Sequence, residues 1–171
     1  MPSDQKTVLD FYIEREKRKG HSVDLTTDHN VRVIRCCNNW ELDACISLDE
    51  FQRLVIVDCP ESKALLANGR LLAAVAGEAR LQLGSVWKSG WNATWINKII
   101  SDLRAAPDAL APDPLMLRTK VSGEPLNGSY YVQDGNHRIL AAGAFFLETG
   151  VMPDLSFHIG TIDENCFRAK Q

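Results

Sequence analysis

The chain has 171 residues, a net charge of −3, 45% hydrophobic residues and 24% charged ones. This length suits one domain over residues 1–171, and the apolar fraction is too high for a disordered chain. The longest apolar run, residues 71–76, is far short of the roughly 20 residues a membrane helix needs, and 22 acidic against 19 basic residues disfavour a broadly basic nucleic-acid surface.

The N-terminus, Met1-Pro2-Ser3-Asp4-Gln5-Lys6, lacks the apolar core of a signal peptide, so the expected setting is cytoplasmic, with no membrane insertion. A helix opens the chain: Asp4 is placed to cap it, Val8, Phe11, Tyr12 and Arg15 recur at helical spacing, and Gly20 ends it. Its tail, Arg15-Glu16-Lys17-Arg18-Lys19, sets cations where the helix dipole favours them and reads as a solvated helix end rather than a phosphate patch.

From residue 22 to residue 60 the pattern turns β-like. Strands are predicted over 31–35 and 40–46, with a more buried one over 53–57, and Asp28-His29-Asn30 and Cys37-Asn38-Asn39 mark turns. An Ala- and Leu-rich helix is predicted over 62–83, weakened by Gly69, and a loop over 84–91. Asn92 then caps a helix with Trp95, Ile96, Ile99, Ile100 and Leu103 on its apolar face. A connector with three prolines spans 105–114. Strands over 115–121 and 130–133 flank a polar turn, a helix over 136–148 stops before Gly150, and a short strand covers 155–159. Interspersed helices and strands place the chain in the α+β class.

Five cysteines, at 36, 37, 45, 59 and 166, show no zinc spacing and no Cys-x-x-Cys pair, so buried reduced thiols are expected. Trp87, Trp91 and Trp95 recur every four residues as a base-stacking platform would; packing of Trp95 into the core, with a loop for the others, is the favoured reading. Lys88, Lys98, Arg118 and Lys120 suit either a groove that tracks a phosphate backbone or ordinary surface. His158, between Phe157 and Ile159 in a short strand, reads as structural.

The segment that carries chemistry is Tyr130-Tyr131-Val132-Gln133-Asp134-Gly135-Asn136-His137-Arg138-Ile139-Leu140-Ala141-Ala142. A strand enters an Asp-Gly turn and a helix begins at once. The first amides of a helix lack internal partners and carry the positive end of its dipole, so they bind phosphate. Gly135 lets backbone approach an anion, Asn136 sits in the turn, His137 and Arg138 add donors, and Arg grips phosphate oxygens in pairs. Asp134 is placed to cap the helix, orient His137 or hold a divalent cation. The same string is equally consistent with an ordinary capped turn.

This segment resembles the signature of the ParB/sulfiredoxin superfamily, in which a strand leads through a glycine turn into a helix that opens with His-Arg or Arg-Arg followed by small residues. Asp134-Gly135-Asn136-His137-Arg138, with Ala141 and Ala142 behind them, match that pattern. The resemblance covers roughly residues 90–162. It implies a ParB/sulfiredoxin-like core over 91–165, with residues 1–90 forming an N-terminal helix, a β region and a further helix packed on it. Sulfiredoxins carry a catalytic Cys directly before the His-Arg pair, where this chain has Asn136, so sulfinic-acid repair is not expected. ParB clamps have Glu and a second Arg where this chain has Asn136 and His137, and no separate helix-turn-helix is evident.

Small size and an intact Gly-x-His-Arg suit the plasmid fertility-inhibition branch, which is associated with ATPase and DNase activity. That resemblance implies nucleotide phosphate, with ATP as substrate or ligand, on Gly135, Asn136, His137 and Arg138. It makes His137 the general acid or base, Arg138 the neutralising charge, and Asp134 the third catalytic residue, positioning Mg²⁺. A second carboxylate, from Asp113, Glu124 or Asp154, depends on the fold. DNA is expected to bind weakly and without sequence preference. The rival expectation is a non-catalytic nucleotide-sensing regulator that docks on a conjugation or secretion-system protein.

Overall fold

A computed structural model of the chain describes residues 2–56, 71, 72, 75, 93–110, 113–124 and 130–169. Helix α1 (Ser3–Arg18) buries Val8, Leu9, Tyr12 and Arg15 along one stripe. Pro2, not Asp4, stands at its N-cap. Asp4 lies in the first turn and accepts a hydrogen bond from the Trp40 amide at 2.8 Å, which ties α1 to the strand that follows.

Residues 31–35 are a correction. They belong to helix α2 (His29–Arg35), whose start is made by Asp28 accepting from the Val31 amide at 3.0 Å. Apolar residues at 31, 33 and 34 fit either period, and the Asx cap decides between them. The Cys37-Asn38-Asn39 turn is likewise the beginning of strand β1 (Cys37–Ala44). Helix α3 (Leu48–Gln52) follows from a capping box in which Ser47 and Glu50 bond each other's backbone, a Ser-x-x-Glu signal present in the sequence.

The remaining elements are strand β2 (Val55–Ile56), helix α4 (Ala93–Ala105), strands β3 (Leu115–Arg118) and β4 (Tyr131–Asp134), helix α5 (Asn136–Thr149), strand β5 (Phe157–Ile162) and helix α6 (Glu164–Ala169). Leu71, Leu72 and Val75 are helical. The rest of the predicted 62–83 helix, the 84–91 loop with Trp87, Lys88 and Trp91, and the Asn92 cap lie outside the described residues.

The strands form a mixed sheet in the order β1-β5-β3-β4-β2. The β1–β5 and β3–β4 pairs are antiparallel, and the β3–β5 and β2–β4 pairs are parallel. Alternation along β3 splits the core in two. Leu115 and Leu117 join one apolar cluster with Val132, Phe157, Ile96 and Ile100 of α4 and Ile139, Leu140, Ala141 and Ala142 of α5. Met116 joins the other, with Val8, Leu9 and Tyr12 of α1 and Val31, Val33 and Ile34 of α2. Helices therefore cover both faces, and the fold is α+β. No helix among the described residues is long and apolar enough to cross a membrane.

Two expectations about surface groups change. Trp95 is 58% exposed and not packed in the core; Ile96, Ile100 and Leu103 carry the buried face of α4. Arg118 is only 3% exposed and lines no groove. It pairs with Glu124 at 2.5 and 3.0 Å, donates to Gln133 Oε1 at 3.3 Å and lies 4.6 Å over the Tyr131 ring. Gln133 Nε2 donates to Asn30 Oδ1 at 2.7 Å, Asn30 to the Tyr12 hydroxyl at 3.3 Å, and that hydroxyl to Asp28 at 3.0 Å. This partly buried polar chain pairs each group with the next and fastens α1 and α2 to the sheet. Lys98 likewise pairs with Asp102 at 2.6 Å.

The thiol expectation also changes. Cys36 and Cys166 are bonded, their Cα atoms 5.3 Å apart and 130 positions apart in sequence, while Cys37 is free and buried and Cys45 free and exposed. Burial pushes the Cys37 thiol up to about 12. The bond secures α6 to the α2–β1 junction. Reduction, or Cys166→Ser, is expected to lower the unfolding free energy by up to roughly 5 kcal/mol, the chain-entropy bound for so long a loop, measured by denaturant unfolding with and without reductant.

Candidate functional site

Strand β4 ends at Asp134, and α5 starts two residues later. Gly135 makes the join at φ +95°, a conformation that glycine adopts without strain. A Cβ there would overlap the Leu115 Cδ2 methyl and lie 3.2 Å from Arg138 Nη2. Gly135 is the N-cap of α5, and no side chain caps the helix. Asp134 is therefore not a cap. The amides of Asn136, His137 and Arg138 precede the first intrahelical bond, which runs from the Ile139 amide to the Gly135 carbonyl at 3.0 Å, and so face the turn. The buried Asn136 Oδ1 has no hydrogen-bond partner among the described residues.

Asp134 is taken up elsewhere. Its Oδ2 forms an ion pair with Nη2 of Arg15, from the last turns of α1. The Arg15 side chain is 2% exposed, its guanidinium 5.5 Å from the centres of the Phe11 and Tyr12 rings and 3.5 Å from Glu16. The reading of this tail as a solvated helix end fails at Arg15, because residues 8, 12 and 15 share the buried stripe of α1. A cation on an apolar stripe was the signal available in the sequence. Arg18, by contrast, is 66% exposed.

Arg138 is fixed from the opposite side. Its Nη1 donates to the Asp113 carbonyl and, at 2.9 Å, to Asp113 Oδ2; Arg18 approaches the other oxygen of that carboxylate at 3.8 Å. Of the three carboxylates considered as a second acid, Asp113 thus joins the site through Arg138. Glu124 is bound to Arg118, and Asp154 is exposed, its amide on the Pro107 carbonyl.

Burial holds the His137 imidazole below its usual range, aided by the charge of Lys19 and opposed by Asp134. The ring is therefore neutral at neutral pH and chemically suited to accept a proton. Burial also lowers Arg138, against the pull of Asp113, and a guanidinium remains charged regardless. Lys19 is held by Glu16 at 2.7 Å. Among the described residues no group of three His, Cys, Asp or Glu side chains is arranged to hold a metal. With Asp134 ion-paired, the residues of the turn do not fit a resident Mg²⁺.

His158 is structural, as expected. It is buried on β5, its Nδ1 accepts from the Asp43 amide at 3.3 Å, and its ring meets Phe11 edge-on at 5.1 Å. Comparison of the chain with protein-family models, with curated proteins and with solved structures finds no match.

Asp134→Asn strands the buried Arg15 charge and is expected to lower stability by about 3 kcal/mol, read by urea unfolding. His29, His137 and His158 are all held below the usual imidazole range, burial being the first cause for each. The unfolded chain thus binds more protons than the folded one as pH falls below about 6.5. The melting temperature is expected to be flat above that pH and to drop below it, before carboxylates titrate. A melting temperature that rises between pH 7 and pH 5.5 contradicts this.

Proposed function

We propose that the chain is a phosphate-ester hydrolase of the ParB/sulfiredoxin type, with the character of the plasmid fertility-inhibition branch, taking ATP and DNA at the turn over residues 134–138. The observation that carries this reading is the left-handed Gly135 start of α5, which no side chain caps, because the amide end of a helix favours phosphate oxygens. His137, held neutral, takes a proton from the attacking water. The water oxygen bonds to the terminal phosphorus as the bond to the departing ADP oxygen breaks, and Arg138 faces the charge that develops. Mg²⁺ arrives with ATP, carried by phosphate oxygens and water. DNA binds through few phosphates, with modest sequence-independent affinity and a shallow salt dependence.

The cytoplasmic setting belongs to this proposal.

A second reading rests on the engagement of Asp134 by Arg15 and of Arg138 by Asp113. With both pairs closed, the turn suits binding better than turnover, as in a nucleotide-sensing regulator that docks on a conjugation or secretion-system protein.

Purified protein incubated with ATP or plasmid DNA, with and without Mg²⁺, separates the two. His137→Gln is the variant of choice, since changing Arg138 also breaks its tie to Asp113. A loss of about 100-fold or more in phosphate release or nicking is expected, and undiminished turnover contradicts the hydrolase. A rise in melting temperature with nucleotide, but no turnover by the wild type, establishes the regulator.

A further inference from the structure

Helix α6 is six residues long and none of its residues is buried. A helix that short does not persist on its own in water, where about 12 residues are needed even for marginal stability. Its apolar anchorage is shallow, with Cys166 and Phe167 only partly buried against the α1–α2 cluster. At the 121–124 turn, the Ser122 amide and hydroxyl donate to Glu164 Oε1 at 2.9 and 2.8 Å, and Arg168 Nη2 donates to the Ser122 carbonyl at 2.7 Å. These bonds are exposed, so water competes for both partners and each contributes little. At the α2–β1 junction the tie is covalent: the Cys36–Cys166 bond, beside a hydrogen bond from the Asp163 amide to the Cys36 carbonyl at 2.7 Å.

The two sulfurs sit in different surroundings. Cys36 is buried in the α1–α2 cluster, whereas Cys166 is partly exposed on α6. Reduced, Cys36 remains a small apolar side chain among apolar neighbours, so the body of the fold keeps its packing when the bond opens. Helix α6 has no comparable hold. Its Phe167 ring lies 5.3 Å from the Arg118 guanidinium, which has the Tyr131 ring 4.6 Å away. Departure of α6 removes one of those two rings and gives the buried Arg118 access to water.

We propose that the Cys36–Cys166 bond is a redox latch: closed, it docks α6 beside Arg118, and opened by a dithiol reductant, it releases α6 while the sheet and the other helices stay folded. A thiolate of the reductant attacks the partly exposed Cys166 sulfur. The bond to Cys36 breaks, and Cys36 leaves as a thiolate that takes up a proton. The second thiol of the reductant loses its proton and attacks the mixed disulfide, so Cys166 returns as a thiol and the reductant departs as a cyclic disulfide. Two electrons pass from the reductant to the cystine. Cys37 takes no part although it adjoins Cys36, because its buried thiol stays protonated and is not a nucleophile. A reducing compartment therefore holds α6 released, and an oxidising one holds it docked. This latch does not depend on the reading of the turn over residues 134–138.

Backbone order parameters of the full chain, measured by NMR before and after dithiothreitol, test it. On reduction, residues 164–169 are expected to fall from about 0.85, the value of rigid backbone, to below about 0.6. The amide resonances of β3 and β5 are expected to keep their dispersion. Cys166→Ser is expected to match the reduced wild type without reductant and to be unaffected by dithiothreitol. Order parameters over 164–169 that survive reduction show that the exposed contacts suffice, and overturn the latch. Loss of dispersion across β3 and β5 makes the bond a staple for the whole fold and also overturns it. So does mass spectrometry that finds Cys36 and Cys166 unlinked in the air-oxidised protein.

Discussion

The ion pair between Arg15 and Asp134 is the contact on which the site depends. A buried guanidinium is tolerated only with an anionic partner, and the partner here is the last residue of β4. The pair therefore fixes the C-terminal end of α1 against the start of α5, across the sheet face that α1 and α2 cover. Asp134 cannot at once serve Arg15, cap α5 and anchor a metal. Because it serves Arg15, the helix start is left open, and the glycine at its head keeps it so.

The same face is secured by polar contacts that run from Glu124 through Arg118, Gln133, Asn30 and Tyr12 to Asp28. Each member is matched to the next, so α1 and α2 sit in one register on β3 and β4. Burial raises the Tyr12 hydroxyl above its usual range, which keeps it a neutral donor to Asp28. The result is an N-terminal layer tied to the sheet by polar as well as apolar contacts. The turn is a joint product of two parts of the chain, the end of α1 and the β4–α5 segment.

How far this was legible from sequence varies by element. The turn and helix over residues 134–150 were readable because glycines mark both ends and both adopt positive φ. The α1 stripe is legible in its period, but the cations around Arg15 give it the look of a solvated tail. Residues 31–35 read as a strand but fold as a helix, because Val31, Val33 and Ile34 satisfy both periods and the Asp28 cap separates the two. The Cys36–Cys166 bond and the Arg138–Asp113 pair join positions far apart in sequence, and no local pattern announces such partners. The α+β class emerged correctly because it depends on element types rather than on pairings.

Under the proposed function, phosphate is held at the Gly135 start of α5 beside Arg138. Amide NMR of the full chain during titration with inorganic phosphate tests it most directly. The largest shifts are predicted on the amides of Asn136, His137 and Arg138. Shifts confined to other elements, with those three signals unmoved, contradict it.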